Sequence, residues 1–236
     1  DGVRVSWEAG SVRRGNPGPT ADPNPTGIQI RLTVSRPDLP ADSSNLAWKA
    51  AEEMIAEFGG PAGGSSKAAA GTDAAGGVLT IDIQKQIPMA AGLAGGSSNC
   101  AAVLHAINQL WELNLSVKEL CRIGARLGSD VPFCIMGQAA AEKALQGSFA
   151  DDPDACHCAL ATGTGTDLKP LTGLDSFIVM SKPAIGVSTA EVYRGIDNEG
   201  IPRHPDNTAV IPAIFEHNYQ VLEEKMVNVL KNLELK

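Results

Sequence analysis

The sequence has 236 residues, of which 43% are hydrophobic, 19% charged and only 4% aromatic, and it carries a net charge of −8. That length supports one large domain or two small ones, with a core resting on Leu, Ile, Val and Ala rather than on rings. The acidic balance argues against nucleic acid or an anionic membrane as partner, since both need a clustered basic face, but it leaves room for a local basic pocket around one anionic ligand. No apolar run approaches the roughly 18–20 residues that span a bilayer. The first residues, DGVRVSWEAG, have no signal-peptide layout. Five scattered cysteines, an odd number, point to a reduced, cytoplasmic setting. Cys156-His157-Cys158 has the residue types of a metal site, but its spacing is wrong for a zinc knuckle and no second pair lies nearby.

In chain order, GVRVSW and GIQIRLTV alternate apolar and polar residues as half-buried strands do, with a Gly/Pro/Asn-rich connection between them. A helix follows: Asp42, Ser43 or Ser44 can cap it, Leu46, Ala50, Met54 and Phe58 recur at helical spacing, and Gly59-Gly60 stops it. Residues 59–77 are of low complexity and read as a mobile surface excursion. VLTIDIQKQI is a strand with Leu79, Ile81 and Ile83 on one face. After a glycine-rich loop, Cys100, Val103, Leu104, Ile107 and Leu110 or Trp111 mark one face of a helix of about four turns. A second helix opens at Ser116 with a capping box to Glu119 and ends at Gly128. GSDVPFCIMG reads as a turn entering a buried strand, and residues 138–158 lack a period. TGTGTDLKPLTG reads as turns and short strands, SFIVMSKP as a strand, STAEVYRGI as a helix, and the tail from Thr208 as helical. Strands and helices mix without regular alternation, which indicates α+β.

The loop IPMAAGLAGGSSN is the most informative stretch. It matches neither the Walker nor the Rossmann fingerprint, because no lysine follows the glycines and Ala94 fills the second glycine slot. Yet a strand runs in and a helix opens at the serines. Free N–H groups and the partial positive charge of a helix N-terminus suit a phosphate. Gly95 and Gly96 permit φ > 0, so successive N–H groups can converge on one anion. The alternative is a tight turn ending in a serine N-cap.

This loop resembles motif two of the GHMP kinases, small-molecule kinases named for galactokinase, homoserine kinase, mevalonate kinase and phosphomevalonate kinase. Pro88, Gly92, Leu93, Ala94, Gly95, Gly96, Ser97 and Ser98 carry the likeness. Gly128-Ser129-Asp130-Val131-Pro132-Phe133, Lys182-Pro183 with Val187 to Tyr193, Asp38-Leu39-Pro40 with Asn45-Leu46, and Gly163-x-Gly165 with Leu168 and Pro170-Leu171 narrow it to one branch. The resemblance implies an α+β GHMP fold, with a ribosomal-protein-S5-like ATP-binding domain over residues 1–172 and an incomplete ferredoxin-like domain over 173–236. It implies transfer of the γ-phosphoryl of ATP, with Mg²⁺, to the tertiary 2-hydroxyl of 4-diphosphocytidyl-2-C-methyl-D-erythritol in the non-mevalonate isoprenoid pathway.

The same resemblance distributes the roles. Asp130 becomes the base that accepts the hydroxyl proton, where the residues alone suggest a local Asx hydrogen bond. The loop residues hold the phosphates, and Ser97 or Ser98 reaches Mg²⁺. Asn45, Leu46 and Lys85 lie near the adenosine, although Lys85 also reads as a solvated strand lysine. Thr189 and Tyr193 contact the cytidine-diphosphate substrate, Tyr193 by stacking on the base; their plain alternatives are a helix cap and a core aromatic. His105 and the tryptophans Trp7, Trp48 and Trp111 read as structural.

The family also begins with a strand bearing Lys and Asn, followed by Asp-Gly-Tyr-His, and ends with a Ser-Gly-x-Gly segment. Neither has a match here, so the expectation is an internal fragment with little kinase activity of its own. Two rival readings stand beside this one: another GHMP kinase with a different alcohol as substrate, and a non-catalytic nucleotide-binding module. Bacterial cytoplasm, or a plastid stroma, is the expected location, and monomer or homodimer stays open.

Overall fold

A computed structural model describes residues 1–10, 26–61, 76–144, 147–181, 194–196 and 203–229. Three strands, β1 (Gly2–Ala9), β2 (Ile28–Val34) and β3 (Gly77–Gln84), form one sheet in the order β1-β3-β2. β1 runs antiparallel to β3 and β2 parallel to it. Alternation sorts the two faces. The register aligns Trp7, Leu79 and Ile30 in one row, Val5, Ile81 and Leu32 in the next, and Val3, Ile83 and Val34 in a third. These rows face the helices, and Leu79, Ile81 and Ile83 are wholly buried, as their spacing predicts. Polar side chains take the other face: Arg4 lies opposite Asp82, which accepts a hydrogen bond from Thr33 Oγ1.

Four helices accompany the sheet, the first two of them lying against it: α1 (Leu46–Phe58), α2 (Gly95–Leu110), α3 (Val117–Leu127) and α4 (Val131–Ala144). α1 packs on α2 and β2, α2 also on β1 and α4, and α3 on α4. Ala47, Ala50, Ala51, Met54 and Ile55 form the buried stripe of α1. Its cap is Asn45, whose side chain accepts from Ala47 N, while Asp42 is spent on an Asx bond from Ser44 N. The helix therefore starts one residue beyond the expected Asp42–Ser44 caps, and Gly59 closes it at φ 76°. α3 has the expected capping box, with Ser116 and Glu119 each bonding the other's backbone N–H. Buried Asn108 clamps the loop before it, donating to Leu115 O and accepting from Leu115 N. Trp111, 1% exposed, meets Trp7 edge-on at 5.8 Å, so it and not the exposed Leu110 ends the apolar face of α2.

Residues 131–144 correct the reading of VPFCIMG as a buried strand. They are α4. Pro132 sits in the first helical turn, where its missing N–H is an orphan in any case. Val131, Ile135 and Ala139 are wholly buried at four-residue spacing, which is a helical stripe.

Beyond α4, β4 (Ala159–Thr162) and β5 (Asp167–Pro170) form the expected short hairpin, turning through Gly163 and Gly165 at positive φ. Of the strand expected over residues 176–183, the described part, Ser176–Ser181, has no ladder partner among the described residues, and Phe177, Ile178, Val179 and Met180 are 72–103% exposed. The tail forms two helices rather than one, α5 (Asn207–Phe215) and α6 (Tyr219–Lys225), which pack on each other. His217 at φ 54° and the Asn218 side chain, which accepts from Val221 N, break and restart it.

Candidate active site

The glycine loop is anchored at both ends. At its start, the Asp1 carboxylate accepts from Gln86 N and Ile87 N, both at 2.6 Å, and pairs with the Lys85 ammonium. The Lys85 side chain is 6% exposed and that of Asp1 2%, so Lys85 is no solvated strand lysine. Burial pulls the Lys85 ammonium down. At the far end, α2 begins at Gly95, two residues ahead of the serines.

Between these anchors, Ala90, Gly92 and Ala94 adopt φ of 48°, 66° and 48°. Gly95 and Gly96, expected to supply φ > 0, are instead the first two helical residues. Gly95 is needed for closeness: a Cβ there would sit 2.5 Å from Lys85 Nζ and 3.0–3.2 Å from Ile87 side-chain atoms. A Cβ on Gly96 would meet only Leu46 Cδ1, at 3.7 Å. The expected neighbours thus converge, with Lys85 against Gly95 and the Asn45-Leu46 start of α1 against Gly96. Asn45 is committed through both ends of its amide, donating to Pro40 O and accepting from Ala47 N.

The N-terminus of α2 has no side-chain cap. Ser97 and Ser98 lie inside its first turn, so the serine N-cap alternative does not hold. Ser98 accepts from Gln138 Nε2 of α4 at both its carbonyl, 2.9 Å, and its hydroxyl, 3.3 Å. The Ser97 hydroxyl has no hydrogen-bond partner among the described residues. Leu93 is 40% exposed and Pro88 is exposed. Asn99, next along α2, is 6% exposed, and its Oδ1 has no partner. Uncapped helical N–H groups and two serine hydroxyls form a donor set beside the Lys85 ammonium, which pairs with Asp1. Such a set fits a polyanion.

Asp130 ends the Gly128–Asp130 turn and opens α4, its carbonyl accepting from Cys134 N at 3.2 Å. Its carboxylate is exposed and makes no hydrogen bond or ion pair among the described residues, so the local Asx bond is not formed. A carboxylate at a helix N-terminus is favoured by the dipole. The β4–β5 turn lies beside it: a Cβ on Gly165 would be 3.8 Å from Ser129 Cβ. Burial first, and the nearby Asp130 charge second, push the Cys134 thiol up to about 11. His105 is held structurally, with Nε2 on Ile135 O at 3.0 Å and its ring edge-on to Phe149.

Residues 45–138, which span α1, the loop, α2 and most of α4, match the family described as GHMP kinases N terminal domain. Over these residues the chain is similar to GHMP kinase N-terminal domains. Two bacterial proteins named 4-diphosphocytidyl-2-C-methyl-D-erythritol kinase extend the likeness. That of Alkaliphilus metalliredigens is 39% identical over 206 residues, which are 87% of this chain and 59% of that protein. That of Bacillus subtilis is 37% identical over 208 residues, 88% of this chain and 60% of that protein. The chain therefore spans about three fifths of the length of these curated relatives.

Two solved structures share the fold. A 4-(cytidine 5'-diphospho)-2C-methyl-D-erythritol kinase superposes with TM-score 0.52 at 23% identity, over 98% of this chain and 63% of that one. A homoserine kinase from Cytophaga hutchinsonii gives 0.51 at 15% identity, over 86% and 59%. Sequence reasoning missed Asp1 and Gln138. Both act across long sequence separations, and no local pattern marks them. Thr189 and Tyr193 lie outside the described residues.

Proposed function

We propose that the chain serves ATP-dependent phosphorylation of the 2-hydroxyl of 4-diphosphocytidyl-2-C-methyl-D-erythritol, giving the 2-phosphate and ADP. The observation that carries this reading is the uncapped N-terminus of α2 behind a loop of three left-handed residues. The names of the 37–39% identical relatives support the choice of substrate.

In this reading the N–H groups of Gly95 and Gly96 and the hydroxyls of Ser97 and Ser98 bind and orient the triphosphate. Lys85 adds positive potential at Gly95, and Leu46 gives an apolar contact beside Gly96 for the nucleoside. The Asp130 carboxylate, with no hydrogen bond among the described residues, accepts the proton of the attacking hydroxyl. Mg²⁺ neutralises phosphate charge in transfers of this kind. Among the described residues no three His, Cys, Asp or Glu side chains cluster for a metal. The ion would thus be carried by the phosphates, with Ser97 or Ser98 as hydroxyl ligand. Thr189 and Tyr193 are assigned to the cytidine end. Residues 1–172 are taken as the ATP-binding domain and 173–236 as part of a second one. A bacterial cytoplasmic setting belongs to the same proposal. It is supported by the bacterial relatives and by five free cysteines.

The test is ADP release by this chain with MgATP and, in turn, the cytidine-diphosphate substrate, mevalonate or homoserine as acceptor. Weak turnover, confined to the first of these acceptors, is the expected result. Preference for mevalonate or homoserine would replace the substrate. MgATP binding with no turnover on any acceptor would favour a nucleotide-binding module, and absence of MgATP binding would overturn the reading.

A further inference from the structure

We infer that Gln138 is a positioning residue that presents the Ser98 hydroxyl to the bound nucleotide as a hydrogen-bond donor; this rests on the reading of the loop as a phosphate site. Gln138 Nε2 lies 2.9 Å from Ser98 O and 3.3 Å from Ser98 Oγ. A carbonyl oxygen can only accept, so the amide nitrogen, not its oxygen, must face Ser98. An amide nitrogen carries two hydrogens, enough for both contacts. The Ser98 hydroxyl, which accepts from Gln138, cannot aim its own proton back at that nitrogen. It finds no other acceptor among the described residues. Its proton is therefore left pointing away from Gln138, available to an anion at the N-terminus of α2.

Ser97 has no such constraint, so the structure separates two serines that the sequence makes equivalent. Ser98 is the pre-oriented donor, and Ser97 is the hydroxyl free to rotate. Pre-orientation matters because a donor held in place loses less entropy when the ligand arrives. The same contact has a second effect. Gln138 lies eight residues beyond Asp130 on α4, about 12 Å at the helical rise. The helix that Asp130 opens is thereby tied to the first turn of α2 across a part-buried contact.

The competing account is that Gln138 only fastens α4 to α2 through the Ser98 carbonyl. A double-substitution cycle separates the two, because Ser98→Ala deletes the hydroxyl and keeps the carbonyl. MgATP affinity is measured by calorimetry for the unaltered chain, Gln138→Met, Ser98→Ala and the pair, with the thermal midpoint of each. Positioning predicts that Gln138→Met weakens MgATP binding about five- to tenfold, the scale of one lost hydrogen bond. It predicts no further loss once Ser98 is Ala. Equal losses in both backgrounds, or none in either, overturn it in favour of the fastening role. If Gln138→Met does not fold, Gln138→Leu, neutral and with no donor, is read the same way. Failure of the unaltered chain to bind MgATP overturns the phosphate-site reading and this inference together. Intact binding without the predicted coupling overturns this inference alone.

Discussion

Gly95 and Gly96 are adjacent, both helical and both in a loop rich in glycine, yet Ala substitutions at the two should change stability in opposite directions. At Gly96 the added methyl meets only Leu46 Cδ1 at 3.7 Å, an ordinary contact. Replacing Gly by Ala in a helix gains up to about 1 kcal/mol, less in the first turn, so a gain of roughly 0.5 kcal/mol is expected. At Gly95 the same propensity gain is opposed by contacts at 2.5 Å to Lys85 Nζ and 3.0–3.2 Å to Ile87. The Lys85 tip is flexible in itself, but its retreat would break the pair with Asp1 in a place where both side chains are almost fully buried. Overpacking costs about 1–3 kcal/mol, and disturbing a buried ion pair adds to that. A net loss of about 2 kcal/mol follows for Gly95→Ala. For a chain of this size that is a drop of roughly 4–8 °C in thermal midpoint. Thermal and urea unfolding of the two single variants beside the unaltered chain measure it. A Gly95→Ala variant as stable as Gly96→Ala would refute the close-approach argument and return Gly95 to an interchangeable loop glycine.

Three further outcomes are expected. Asp130→Asn should lower turnover by about 10²–10⁴-fold with the cytidine-diphosphate substrate while MgATP affinity and thermal midpoint stay unchanged, because the carboxylate supports nothing around it; a matching fall in stability would recast it as structural. Burial holds the His105 imidazole below its ordinary value, against the smaller lifts from Ile135 O and Glu142. The unfolded chain then takes up a proton near pH 6.5 while the folded chain stays neutral, so stability should fall as pH drops below about 6.5. The check is urea unfolding across pH 5–8, with a shallower slope in His105→Gln. Ser116→Ala removes the α3 cap and should cost about 1 kcal/mol in urea unfolding without altering MgATP affinity.

Local periodicity exposed much of this fold to sequence reading, and failures came where the deciding contact was distant or the run short. Leu79, Ile81 and Ile83 could only be one face of a strand, and the Ser116–Glu119 pair could only open a helix. VPFCIMG misled because seven apolar residues fit a buried strand and a helix equally well. The Pro at the second helical position and the Ala run after it decided the matter. In the loop, composition announced a phosphate site but not the division of labour. Left-handed backbone falls on Ala90, Gly92 and Ala94, while Gly95 serves the approach of a lysine ten residues earlier. The Asp1–Lys85 pair and the Gln138–Ser98 contact join residues 84 and 40 positions apart. No pattern in a single sequence encodes them.

Phe177 gives the chain a natural cutting point. It is fully exposed, has no ladder partner among the described residues, and follows the last strand of the hairpin. A protease needs such accessible, unpaired main chain. Brief chymotrypsin treatment should therefore cut there ahead of the buried or helical aromatics and release a piece ending at Phe177. That piece keeps the sheet, the four accompanying helices, the glycine loop, Asp130 and Gln138. Nucleotide binding could then be measured on it directly, which would reveal whether the grip on phosphate needs anything that follows the hairpin.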